Sequence, residues 1–400
     1  MKNEEWKEYK LGEVCDISSS KRIFAEEYKT SGIPFYRGKE IIEKHNKTFI
    51  SSELFITKER YDSIKRKFPV PQKGDILLTS VGTLGIPWLV DEDDFYFKDG
   101  NLTWFRSKPN ELDSSFLYYW LKSNHAKKQI DAMCIGSTQK ALTMDTLRKF
   151  IISLPSLATQ KEIAKILSAH DDKIELNNAI NKNLEQQINS IIYEKALLNE
   201  LCPKVKLGDY LYIKGRIGWK GLKKDEYLDS SDYRIINGES LMESGIDWNK
   251  TGYISKERYD ESPEIMLEIG DILLSKDGTI GKIGYIDSLE LPTSVASGIF
   301  VIRNQQPENI STAFIYYLLK SRLFKGFIEQ RIEGSVIPHL YQKDFMDFIF
   351  PLPTPQEMKK IKKAIQPMFE KVIANLNENK NLVRQRDTLL LKLMSGELEA

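Results

Sequence analysis

The sequence predicts an α+β fold: two β-rich globular domains separated by an antiparallel two-helix coiled coil, with the internal pseudo-twofold that a tandem duplication creates. Three observations predict it. The chain repeats itself at a nearly constant offset. Each copy opens with short apolar runs punctuated by turn residues. Each copy closes on a long stretch whose stripe residues step by three and four.

The repeat sets the architecture. Tyr9-Lys10-Leu11-Gly12-Glu13-Val14 returns as Val205-Lys206-Leu207-Gly208-Asp209-Tyr210, 196 positions later, and Gly74-Asp75-Ile76-Leu77-Leu78-Thr79 returns as Gly270-Asp271-Ile272-Leu273-Leu274-Ser275 at the same offset. Gly82-Thr83-Leu84-Gly85 is matched by Gly278-Thr279-Ile280-Gly281, and Ile56–Asp62 by Ile254–Asp260. Phe116-Leu117-Tyr118-Tyr119 reappears 198 positions on as Phe314-Ile315-Tyr316-Tyr317. Collinear matches of this number make the chain two copies of one unit of about 200 residues.

The boundaries follow in order. Residues 1–155 form the first β-rich domain, with Asp75–Ser80 and Ile86–Val90 as strands, Gly74, Asp75, Gly82, Thr83 and Gly85 at turns, and a helix over Ser115–Met133. Residues 156–203 are the first helical region, after the rigid Leu154-Pro155-Ser156, with a capping box at Thr159-Gln160-Lys161-Glu162. Residues 204–353 repeat the domain, including a helix over Ser311–Arg331. Residues 354–400 repeat the helical region, opened by Thr354-Pro355-Gln356-Glu357 with proline at the first helical position. The first stripe runs through Leu167, His170, Ile174, Asn177, Asn181, Leu184, Ile188 and Ile191. The second runs through Ile361, Ile365, Met368, Val372, Asn375, Asn379, Leu382, Arg386, Leu389 and Leu393. An amphipathic helix must cover its apolar stripe, and here the candidate partner is its own copy. Antiparallel pairing would face Asn177 with Asn379 and Asn181 with Asn375, either as buried amides that fix register or as solvated positions in a polar stretch. Forty residues at helical rise make a rod of roughly 60 Å.

Composition removes several functions. The 400 residues carry 58 basic and 57 acidic side chains, so this is not a polycation that coats nucleic acid by bulk charge. Cys15, Cys134 and Cys202 are far apart and make no metal or disulfide spacing, which points to a reducing cytoplasm. The start lacks an apolar signal core and no run approaches a membrane span. There is no Asn/Asp-Pro-Pro-aromatic turn for an amino-methyltransferase and no phosphate loop, Gly278–Lys282 being too short for one. Asp171-Asp172-Lys173 imitates part of a nuclease site but sits in a predicted helix, as a solvated face, and His170 and His339 read as ordinary polar positions.

At this point the chain resembles the specificity subunits of type I restriction–modification enzymes over nearly its whole length. The resemblance rests on the duplicated domain-plus-helix plan and on particular motifs. These are Ile17–Ile23 with Gly32–Ile41, Leu352-Pro353 leading to Gln356-Glu357, and the ending Leu393-Met394-Ser395-Gly396-Glu397-Leu398. It implies that the two domains are target-recognition domains, each reading half of a bipartite, asymmetric DNA site. The helices would set the spacing and dock two adenine-N6 methyltransferase subunits and, in the larger complex, restriction subunits. The chain itself would be non-catalytic and hold no metal or cofactor, S-adenosylmethionine, ATP and Mg belonging to its partners.

If both domains share a fold but read different half-sites, residues alike in the copies should be scaffold and divergent donors should contact DNA. The candidates in the first domain are Lys21, Arg22, Arg37, Lys39, Lys65, Arg66, Lys67 and Gln139. In the second they are Lys214, Arg216, Trp219, Lys220, Lys223, Lys224 and Asn237. Arginine suits guanine, asparagine and glutamine suit adenine, and lysine positions the phosphate backbone. Each basic cluster also reads as a solvated surface, the reading favoured for Lys65–Lys67, whereas the Gly/Trp-rich run Lys214–Lys224 favours contact as a mobile loop. Two other classes compete with a DNA reader: a self-contained DNA-modifying or DNA-cleaving enzyme, and a structural tandem-domain coiled-coil protein.

Overall fold

A computed structural model describes residues 6–51, 53–91, 94–133, 141–217, 221–242, 245–332 and 339–398. The chain divides into two compact units, residues 1–175 with 379–400, and residues 176–378. Each unit therefore combines one β-rich domain with part of both long helices.

In the first unit, an antiparallel four-stranded sheet has the order Cys15–Ser18, Leu102–Ser107, Ile76–Thr79, Pro87–Leu89. A mixed three-stranded sheet follows the order Phe55–Ile56, Ile33–Tyr36, Tyr96–Phe97, with the last pair parallel. Strand Lys7–Lys10 closes the domain by pairing with Ile151–Leu154 at the foot of the first long helix. The second unit repeats this plan. Its four strands are Leu211–Gly215, Ile299–Asn304, Ile272–Ser275 and Ile283–Tyr285, and its mixed sheet is Gly252–Tyr253, Arg234–Ile236, Thr293–Val295. Register is repeated too: Ile76 lies opposite Phe105, and Ile272 opposite Ile302.

The repeated glycines hold the turns that the sequence assigns to them. Gly85 has φ +76°, a conformation that favours glycine, and a Cβ there would sit 2.7 Å from Ile130 Cδ1, which would have to shift. Its copy Gly281 has φ +95° beside Ile328. Asp75 accepts from the backbone N–H of Gln72 and the indole of Trp104, while Asp271 accepts from Glu268 N–H and the Arg303 guanidinium. Both aspartates are scaffold.

Three helical expectations need correction. The predicted helix over Ser115–Met133 is two helices, Ser114–Lys122 and Asn124–Met133. Ser123 between them is extended at ψ 159°, and its hydroxyl accepts from Ala126 N–H as a fresh N-cap. The copy breaks at Ser321 in the same way, between Thr312–Lys320 and Arg322–Ile332. The first long helix, Leu157–Ile192, starts ahead of Thr159, because Ser156 caps it by accepting from Thr159 N–H at 3.3 Å. The second, Pro355–Met394, starts as expected, with Thr354 accepting from Glu357 N–H.

The long helices pair antiparallel within each unit. In the second, Asn375 donates to Asn181 at 2.7 Å, the expected register, while Asn177 donates to Glu378 at 2.9 Å. Ile188 and Ile192 share a core there with Met358, Ile361, Ile365 and Phe369. In the first unit, Ile163, Ala164 and Leu167 pack with Leu390 and Leu393 under the domain. Asp171 is not the solvated position expected from sequence. It is largely buried, accepting from Tyr119 Oη at 2.8 Å and Arg386 Nη1 at 2.5 Å.

Candidate nucleic-acid interface

In the first unit, the parallel strands Ile33–Tyr36 and Tyr96–Phe97 end together, and the chain on either side of them carries basic residues. Tyr36 lies opposite Phe97, and Lys98 N–H donates to Tyr36 O at 2.9 Å, which puts Arg37 and Lys98 at the same edge. The loop after Cys15–Ser18 reaches the same strand. Ser20 donates to Phe97 O at 2.7 Å, and Lys21 N–H donates to Tyr96 Oη at 2.7 Å. Arg22 is exposed and paired with Asp99 at 2.9 Å. The Lys21 ammonium lies 4.3 Å from the Phe68 ring centroid, which brings this loop beside the Lys65–Lys67 cluster. The structure thus gathers Lys21, Arg22, Arg37 and the Lys65–Lys67 segment around one small sheet.

These cations differ in how firmly they are held. Lys39 is exposed in the first turn of helix Gly38–His45. Lys65 ends helix Lys58–Lys65 and pairs with Asp94 at 3.2 Å, which together with Tyr61 holds the Asp94 carboxyl below the usual range. Arg66 and Lys67 are exposed beyond that helix end. Arg37 is fixed: its Nη2 donates to Glu40 Oε1 at 2.6 Å and its Nε to Oε2 at 3.2 Å, and this bond raises the arginine's affinity for its proton further. Glu40 also accepts from Arg37 backbone N–H at 2.8 Å, the return half of a capping box. Glu40 is absent from the sequence-derived candidates. The Arg-x-x-Glu spacing carries the signal, but arginine is not a usual cap and so does not announce one.

The second unit departs further from expectation. Lys214 and Gly215 lie in strand Leu211–Gly215, not in a mobile loop, with the Lys214 ammonium 5.9 Å from the Tyr212 ring centroid. Arg216 is buried, and burial lowers its proton affinity. Its Nε donates to Val295 O at 3.2 Å, and its terminal nitrogens to Ser262 and Ser294 hydroxyls at 3.4 Å. A base reader must reach the groove, and this fork is spent inside the domain. Asn237 is likewise engaged, its Oδ1 accepting from the backbone N–H groups of Glu239 and Ser240, each at 2.9 Å. That oxygen is the one an adenine pair would use. Lys223 and Lys224 are exposed at the start of a 3-10 turn. Trp219, Lys220 and Gln139 lie outside the described residues, as does Cys134.

Among the described residues, no group of three or more His, Cys, Asp or Glu side chains could hold a metal ion, and no helix is long and apolar enough to cross a membrane. Cys15 and Cys202 are buried free thiols, and burial pushes the Cys15 thiol up to about 12, out of reach of nucleophilic chemistry at neutral pH.

A family model for the type I restriction modification DNA specificity domain matches twice, at residues 3–186 and 200–385. The chain is 24% identical over 419 residues to the type I restriction enzyme MjaIX specificity subunit of Methanocaldococcus jannaschii, covering 98% of this chain and 94% of that one. It is 22% identical to the HindI specificity subunit of Haemophilus influenzae, over 98% of this chain and 100% of the other. Among solved structures, the S subunit of a type I restriction-modification system from M. genitalium matches with a TM-score of 0.63 and 21% identity, covering 98% of this chain and 97% of that one. The last is a likeness of fold.

Proposed function

Since the chain belongs to the type I restriction modification DNA specificity family, we propose that its two domains read the two halves of a bipartite, asymmetric DNA site on behalf of catalytic partners. The chain is the non-catalytic specificity subunit of such a system. One observation supports the assignment of one half-site to each domain: the scaffold is repeated down to strand register, while the side chains around the parallel-strand edge differ between copies. A common frame bearing unlike donors suits two different sequences.

The long helices set the separation of the half-sites and dock two methyltransferase subunits, with restriction subunits joining in the full complex. S-adenosylmethionine, ATP and Mg²⁺ are bound by those partners, and the assembly works in the cytoplasm. In the first domain, the contact residues are Lys21, Arg22, Arg37, Lys39, Arg66 and Lys67, with Lys65 released from Asp94 on binding. In the second, Lys223 and Lys224 contact phosphate, together with Lys214.

Methylation-aware sequencing of DNA from a host carrying the intact system tests this. The expected result is adenine methylation confined to one motif with two fixed halves around a spacer, lost when this chain is deleted and its partners are kept. Methyl transfer from S-adenosylmethionine by the purified chain alone would overturn it.

A further inference from the structure

Duplication supplies an internal control at one position. Arg37 and Asn237 each follow the strand that runs parallel to its neighbour, Ile33–Tyr36 in one copy and Arg234–Ile236 in the other. In each, the backbone N–H is accepted three residues on, by the Glu40 carboxylate at 2.8 Å or the Ser240 hydroxyl at 2.9 Å. A hydroxyl is therefore enough to close this turn. The first copy instead places a carboxylate there, 1% exposed, and a buried carboxylate is tolerated only when paired and hydrogen-bonded. Its pair is Arg37, gripped along the Nε/Nη2 edge by both Glu40 oxygens, yet with 34% of its side chain exposed.

We propose that Arg37 is the guanine-reading residue of the first domain, engaging O6 and N7 through its end-on Nη1/Nη2 pair, and that Glu40 is its positioning residue. The inference rests on the DNA-reading role above and narrows it to one base pair. A phosphate contact needs only charge, which an unbraced lysine supplies. A bidentate base contact needs the guanidinium plane held at one angle, and Glu40 holds it. Lys98, Arg22 and Lys39 around the same edge supply the phosphate attraction that brings the duplex to it. At the matching position of the second domain, Asn237 does not take this role, because its Oδ1 is spent on its own turn.

The test selects binding sites from a randomised duplex pool, using the full-length chain in complex with its methyltransferase partner. Three forms are compared: wild type, Arg37→Lys, and the double variant Arg37→Asn with Glu40→Ser, which installs the turn already folded in the second domain. Both variants are expected to lose preference at a single G·C pair of the first half-site by roughly 5- to 100-fold. The second half-site stays unchanged, and Arg37→Lys keeps the wild-type salt dependence. Three results would overturn the assignment. Equal weakening of the double variant on every sequence, with a shallower salt dependence, makes Arg37 a phosphate contact. Unchanged affinity and preference in Arg37→Lys removes the guanine contact, leaving Arg37 a phosphate contact or a part of the turn. A wild-type complex that selects no bipartite sequence removes the DNA-reading role itself, and this assignment with it.

Discussion

Ser20 and Arg216 occupy the same place in the two copies and do the same work with different chemistry. Ser18 lies opposite Trp104 and Lys214 opposite Val301, residues that in turn face Leu77 and Leu273, so Ser20 and Arg216 are each two residues past equivalent strand positions. Ser20 Oγ donates to Phe97 O, and Arg216 Nε donates to Val295 O. Each ties the loop after the first strand of the four-stranded sheet to the edge strand of the mixed sheet that runs parallel to its neighbour. Divergence between copies therefore does not by itself mark a DNA contact, because a scaffold bond can be remade with a different donor. Arg216→Ala should lower stability by about 2 kcal/mol, the order expected when hydrogen bonds to a buried charged group are lost. Urea unfolding measures that loss, and site selection with the folded variant should return the wild-type motif. Unchanged stability with a degraded second half-site would restore Arg216 as a reader.

The junction of domain and helices shows how the copies diverge at the level of elements. At the 198-residue offset that relates Phe116 to Phe314, Asp171 corresponds to Phe369 and Arg386 to Ile188. The first junction is ionic: Asp171 accepts from Tyr119 and Arg386, with Lys122 at 3.8 Å. The second is aromatic, Phe369 lying 5.0 Å from Tyr285 and 5.4 Å from Tyr316 between ring centroids, with the charge moved to a Lys320–Glu185 pair. Burial works to raise the Asp171 carboxyl, but Lys122 and Arg386 outweigh it and hold the group below 3.8. Burial pulls Lys122 the other way, below the usual lysine range, and Arg386 makes the shorter contact, 2.5 Å against 3.8 Å. A depressed carboxyl contributes stability that is complete above its unfolded value and is lost as pH falls through its folded value. Acid unfolding followed by circular dichroism should therefore show a shallower loss of stability below pH 3.8 in Asp171→Asn than in wild type. At neutral pH, Asp171→Ala should cost about 1.5–3 kcal/mol, because the charged hydrogen bonds from Tyr119 and Arg386 and the ion pair with Lys122 are lost while Arg386 keeps Asp387. Identical acid profiles would mean that the pair contributes nothing. Sequence showed the heptad stripe but not this ion pair, since periodicity tells which face of a helix is covered by its partner and not that a domain helix, Ser114–Lys122, covers the flank. The Ser123 break was hidden for a related reason: apolar spacing continues across it, and only the serine hydroxyl reveals the new cap.

At the scale of the whole molecule, duplication and charge were the most legible features, because both are properties of the full string. Collinear matches need no contacts to be seen, and strand register then followed the repeated glycines and aspartates. The interface was legible only in part. Basic residues can be counted, but whether a cation faces solvent or is spent internally depends on the neighbours that folding brings, as Arg22 and Arg216 show in opposite senses. A net charge of +1 means that attraction to DNA comes from local groups and not from the whole surface. Binding should then vary with salt only as strongly as the few phosphate contacts dictate, with log K falling by about 0.9 per contact for each tenfold rise in salt. Replacing Arg66 and Lys67 with serine, both exposed beyond the end of helix Lys58–Lys65, should reduce that slope by about 0.9 for each contact removed and leave the selected motif intact. Titrations of the complex against its cognate duplex at several salt concentrations give the slope. An unchanged slope would make the cluster a solvated surface, whereas a slope that falls together with a lost base preference would make it part of the readout.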